Sequence, residues 1–135
     1  MAVFSFTDAK VTINSVNLSD HVKQVTIRTT DDVVETTAMG ATAKSRIAGL
    51  PDNNLTVEFN QDFATSQVEA TIYPLISTVT TCVVQPTSAA VGGTNPTYSF
   101  NVLISEWAPL DGSIGELATT SVSWPISGAI TKAIV

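Results

Sequence analysis

Apolar and polar side chains alternate with a period of two along much of this chain, in short runs set between turn residues. Val11 and Ile13 alternate with Lys10, Thr12 and Asn14, and Val25, Ile27 and Thr29 with Thr26, Arg28 and Thr30. Leu55, Val57 and Phe59 alternate with Thr56, Glu58 and Asn60, just after the turn-like Pro51-Asp52-Asn53-Asn54. Tyr98, Phe100, Val102 and Ile104 repeat the pattern against Ser99 and Asn101, and Val122, Trp124 and Ile126 against Ser121, Ser123 and Pro125. Successive side chains of a strand point to opposite faces, so each run predicts a strand with one buried face. Val79–Gln85 is apolar at both parities and predicts a central strand covered on two sides. The abundant Thr and Val, stiff at χ1, favour the same conformation. The expected fold is mainly β, a β-sandwich or barrel-like single domain over residues 1–135.

One segment departs from the alternation. Ser66-Gln67-Val68-Glu69 has the form of a capping box, and Val68, Ile72 and Leu75 or Ile76 follow at near-helical spacing until Pro74 limits the run. This predicts one short flanking α-helix over about residues 65–76. Two further stretches are too long for tight turns. Residues 31–53 form a long inter-strand loop that carries Val33, Val34, Met39, Ile47 and Leu50, too apolar for a disordered linker. They are expected to form an arm or extended hairpin that docks on something. Residues 87–97 are small and polar, with Gly92-Gly93 as a flexible loop tip.

Composition adds an asymmetry. Only 13% of residues are charged, against about a quarter in an ordinary soluble chain. Residues 1–69 carry 14 of the 18 charges, and none falls between Ala70 and Ser105. A membrane span does not explain this, because it needs about 20 mostly apolar residues in succession. Pro74, Pro86, Gly92, Gly93 and Pro96 interrupt any such run. The first eight residues, Met1 to Asp8, have no basic region followed by an apolar core, so no signal peptide is expected. Cys82 is the only cysteine, which excludes an intrachain disulfide framework and reads as a buried strand thiol. The expected setting is the cytoplasm, or a particle assembled there. The net charge of −6, with six scattered basic residues, argues against a protein that grips nucleic acid through its phosphates.

No pattern of catalytic chemistry emerges. His21, the only histidine, follows Asp20 at a turn, and on an extended backbone neighbours point to opposite faces, so it reads as a surface residue. One histidine and one cysteine about 60 residues apart make no zinc site. Asp31, Asp32 and Glu35 lack calcium-loop spacing and read as a solvated turn. Glu106, Asp111 and Glu116 carry no specific signal as an acid pair, and Trp107 reads as a strand end packed on the core. The chain is therefore expected not to be an enzyme, with no catalytic residues, cofactor or metal.

Three segments carry a family resemblance: Thr37-Ala38-Met39-Gly40, Ser45-Arg46-Ile47-Ala48-Gly49-Leu50, and Leu55-Thr56-Val57-Glu58-Phe59-Asn60-Gln61-Asp62-Phe63. With the closing run from Leu117 to Gly128, they resemble the major tail (tail tube) proteins of long-tailed bacteriophages, over roughly residues 10–130. The resemblance implies a β-sandwich with a flanking helix, whose copies form hexameric rings that stack into a hollow tube. Its partners would be itself and other phage tail proteins, with DNA passing through the lumen without specific binding. Its location would be the virion tail, after assembly in the host cytoplasm. Carried over by position, the docking loop is Asp31–Pro51, with Met39, Ile47 and Leu50 as apolar anchors at a subunit or ring interface and Arg46 as a charged contact. The alternative for these side chains is that they fold back on their own core. The alternative role is a capsid decoration or head–tail joining protein.

Overall fold

In the computed structural model, which describes residues 9–134, the alternating runs form seven strands. They are β1 (Lys10–Ile13), β2 (Val16–Asn17), β3 (Val22–Glu35), β4 (Arg46–Asn60), β5 (Val79–Gln85), β6 (Thr97–Leu103) and β7 (Thr119–Ala133). The segment 1–8, where no signal peptide is expected, lies outside the described residues. Among the described residues no helix is long and apolar enough to cross a membrane. All neighbouring strands are antiparallel, in the order β2-β1-β5-β6-β7-β4-β3.

Strand β7 belongs to both halves of this sheet. Thr119–Pro125 pair with β4, whereas Ile126 onward pairs with β6. The change of partner falls at Pro125, which has no N–H to give to a ladder on either side. Gly128, at φ +93°, lies in the irregular stretch of the β6–β7 ladder that follows. The sheet can thus fold over itself, and one core forms from the inward residues of both halves. Val11, Ile13, Cys82, Phe100 and Val102 come from one half and Leu55, Val57, Phe59, Val122 and Trp124 from the other. Trp124 is fully buried near Phe59, and its indole N–H donates to the Glu106 carbonyl at 2.8 Å. Cys82 is buried too, and burial pushes its thiol pKa up to about 12.

Three local expectations are corrected. The helix, α1, is only Val68–Ile72, continued by a 3-10 turn at Tyr73–Leu75 that contains Pro74. Its N-cap is Gln67, with no side-chain cap bond. Ser66 sits at φ +63°, not in the extended conformation a capping residue needs. Glu69, the other half of the expected capping box, instead accepts a 2.6 Å hydrogen bond from Trp107 Nε1. A tertiary contact has won over the local motif. Trp107 lies beyond the end of β6 and meets Phe59 edge-on, so it packs on the core but not as a strand end.

Strand β5 is central in the sheet, with one face covered throughout and the other open at Val79 and Thr81, half-covered at Val83 and closed only at Gln85. Thr80, Cys82 and Val84 are buried, whereas Val79 and Thr81 are exposed. Its outer face adjoins Asn101 of β6, and further along the sheet Ser121 and Ser123 of β7 are exposed as well. Here Thr81 Oγ1 reaches Asn101 Oδ1, and Thr56 Oγ1 reaches Ser123 Oγ. The sparsely charged half therefore supplies an uncharged polar outer face as well as core. The segment 87–97 is not loose either. Asn95, nearly buried, donates to the carbonyls of Ala89 and Ala90 and accepts from the Thr87 N–H, closing the loop around itself.

A candidate assembly interface

N-terminal to Asn54, β4 does not pair with β7 and runs with β3 alone. Pro51 marks the same transition, since a proline is tolerated where a strand has become an edge. The two strands run on as a ribbon, paired to Glu35 and Arg46. The segment expected as a long loop is thus mostly strand. In residues 28–52 no side chain is buried. The arm does not fold back on its own core. An isolated two-stranded ribbon is marginal in water, so an arm with this many exposed apolar residues gains by being covered.

The ribbon carries one bulge. Between the pairs Asp31↔Pro51 and Val33↔Ala48 the register shifts, leaving Gly49 and Leu50 opposite Asp32. A Cβ on Gly49 would come within 3.0 Å of the Asp32 Cβ and 3.3 Å of its carbonyl oxygen, so a side chain there would have to push Asp32 back by a few tenths of an ångström. The bulge turns Leu50 outward, 82% exposed. At the far end the chain reverses through hydrogen bonds from the Thr36 N–H to the Ser45 carbonyl and from the Ser45 N–H to Thr37 Oγ1. The apex is a turn in which the Ala41 N–H donates to the Ala38 carbonyl and Gly40 takes φ +87°. Met39, at the second position of that turn, is fully exposed.

The four residues singled out in the sequence therefore share one ribbon but are spread along it. Met39 is at the apex, Arg46 and Ile47 are on the last pairs opposite Glu35 and Val34, and Leu50 is at the bulge. Val34 and Ile47, directly opposed, share a face and are both exposed.

A second apolar surface lies at the other end of β4 and has no counterpart in the sequence reading. The loop 104–118 is held beside the end of that strand by Gln61, whose amide donates to the Pro109 carbonyl and whose N–H donates to the Ala118 carbonyl. It displays Leu110, Ile114 and Leu117, with Phe63 exposed next to it. Ile114 occupies a turn of the same design as Met39. The Glu116 N–H donates to the Ser113 carbonyl, Gly115 takes φ +84°, and Ile114 is fully exposed. Of the three nearby acids, Glu106 accepts from the Ser123 N–H, while Asp111 and Glu116 are exposed on the loop.

His21 lies near this pole, and its expected isolation is corrected. The backbone at Ser19–His21 is a 3-10 turn rather than extended, so Asp20 does reach it. His21 Nδ1 is 2.9 Å from Asp20 Oδ1 and Nε2 is 2.8 Å from Asp62 Oδ2. Ionised carboxylates only accept, so both ring nitrogens must donate and the imidazolium is favoured. Desolvation is the largest influence and opposes the charge, but the hydrogen bonds and charges of Asp62 and Asp20 together outweigh it and raise the His21 pKa. The Asp62 pKa is lowered by the Ala64 N–H and then by His21. A raised histidine pKa stabilises the fold fully below its unfolded value, near 6.5, and that contribution is lost as pH rises through the folded value. The Asp62 contribution is present above 3.8 and lost as pH falls through the lowered value. Thermal melts from about pH 6 to about pH 9 should show the wild type losing stability relative to His21→Gln. Parallel curves for the two proteins would refute the double ion pair.

Among the described residues no three His, Cys, Asp or Glu side chains gather as a metal site would require. Asp31 and Asp32 lie on the exposed ribbon.

No family model matches this chain, and no curated protein matches it. Among solved structures, it is similar to a chain in the virion of a native gene transfer agent (GTA) particle, at TM-score 0.78 and 10% identity over 97% of this chain and 99% of that chain. It is also similar to a chain in the baseplate of the anti-feeding prophage (AFP), 6-fold symmetrised, at TM-score 0.62 and 9% identity over 98% of this chain and 97% of that one. At these identities what is shared is the fold, and it is shared along nearly the whole length of all three chains.

Proposed function

We propose that this chain is a structural virion protein of the tail-tube kind, whose copies close into hexameric rings and stack into a hollow conduit for DNA. The observation that carries the reading is the projecting arm, residues 28–52, which buries nothing in its own subunit. A protein that acts alone gains nothing from Val33, Met39, Ile47 and Leu50 held in water on a marginal ribbon. Met39, Ile47 and Leu50 are then contact residues between copies, and Arg46 orients the contact.

The fold likeness to a GTA virion chain and to an AFP baseplate chain supports this assignment, and the 6-fold symmetrised particle supports the ring number. The edge of β3 fits the same role, because an unpaired edge strand can continue a sheet into a neighbour. The acidic balance, net −6, suits a lumen from which phosphates are repelled rather than held. Other tail proteins would bind at the ends of the tube, and the location would be the virion tail.

Sedimentation velocity over a range of concentrations tests the ring. The expected species has about six times the 14.2 kDa mass of one chain. A single boundary at monomer mass throughout would sink the proposal.

A further inference from the structure

The arm and the loop 104–118 stand at opposite ends of β4. That strand has 15 residues, so at about 3.3 Å each its ends are about 50 Å apart. One copy cannot bring its own arm to its own loop. The two surfaces nevertheless match in three respects. Each presents an apolar side chain, Met39 or Ile114, at the apex of a glycine turn, with further exposed apolar residues beside it. The charges at the distal part of the arm and on the loop are opposite. Beyond the pair in which Glu35 lies opposite Arg46, residues 36–47 carry Lys44 and Arg46 and no acid, whereas residues 105–118 carry Glu106, Asp111 and Glu116 and no base. Lys44, Arg46, Asp111 and Glu116 are all exposed.

We infer that the arm of one copy seats on the loop 104–118 of another, with Met39 against the Ile114 turn and Lys44 and Arg46 facing Asp111 and Glu116. This rests on the assembly proposed above and names its partner surface. Because donor and receiver lie at opposite poles, repeating the contact in one direction translates each copy along the strand axis. The contact therefore links successive rings head to tail.

Cysteine pairing is the direct test. Met39→Cys and Ile114→Cys are made in separate chains, mixed and oxidised; the native Cys82 is buried and does not compete. The mixture should give a linked pair that neither variant gives alone, within assemblies larger than two copies. Charge reversal is the second test. Lys44→Glu with Arg46→Glu should raise the concentration needed for stacking about tenfold, as should Asp111→Lys with Glu116→Lys, and joining both sets in one chain should restore it. Circular dichroism confirms folding of each variant, all four sites being exposed. Rings that form and stack without cross-linking, or without response to charge, overturn this contact and leave the ring-forming role standing. A linked species that closes at two copies overturns the head-to-tail order. A wild-type chain that never leaves the monomer overturns both.

Discussion

Cutting the arm back to the Thr30↔Asp52 pair, joined by an Asn-Gly turn, yields a protein that folds normally and does not polymerise into tubes. The removed residues, Asp31–Pro51, include no buried side chain, and the core cluster contains none of them. The expected loss of stability is therefore small, about 1 kcal/mol or less. Asn-Gly supplies the positive φ angles that a two-residue hairpin needs. The effect on assembly is the opposite extreme. Every apolar anchor on the ribbon is gone, so stacks do not form at concentrations where the intact chain assembles into tubes. Thermal melting and sedimentation of the two proteins side by side check both halves. Normal assembly of the shortened chain would show that the arm is not the docking element.

Trp124→Ala is expected to act on the fold instead. Trp124 is fully buried, lies opposite Leu55 on β4, sits 6.4 Å from the Phe59 ring and bonds to the Glu106 carbonyl. Its removal opens a cavity at the seam where β7 changes partner and leaves that carbonyl without its donor. Truncations of this kind cost about 3–5 kcal/mol, a large share of the stability of a small domain. The melting temperature should fall by about 10–20 °C. Trp124→Phe keeps most of the apolar volume and should fall by less than half as much. Equal losses for the two substitutions would mean that the hydrogen bond, not the packing, dominates at this site.

These two predictions separate what the sequence discloses from what it does not. The core was legible because burial on one face of a sheet imposes period two, and Leu55, Val57 and Phe59 or Val122, Trp124 and Ile126 display it directly. The arm was legible as an apolar stretch with no turn chemistry to justify it, although its two strands look like a loop once the alternation lapses. Val79 misled because being apolar does not reveal which face is covered: β5 is flanked on both edges, yet its outer face is open at Val79 and Thr81 and closes only toward Gln85. Ser66 and Glu69 misled because a local capping pattern competes with tertiary partners, here Trp107.

The pole at 104–118 was the least visible. Periodicity is silent in turns, so nothing in the spacing of Leu110, Ile114 and Leu117 distinguishes exposed residues from buried ones. The available signal was three large aliphatic residues spaced around Gly112 and Gly115, in a segment with no alternation to bury them. His21 was missed for a different reason. The argument that Asp20 faces away holds for a strand, and the chain there turns. The shortage of charge in the second half is accounted for by both surfaces that half makes, a core face and an outer face of Thr, Ser and Asn.

Electron microscopy of the purified protein at increasing concentration tests the central claim most directly. The account predicts rings with an open central channel that stack into tubes of constant diameter. Monomers at every concentration, or closed particles without a channel as a decoration or joining protein would give, contradict it.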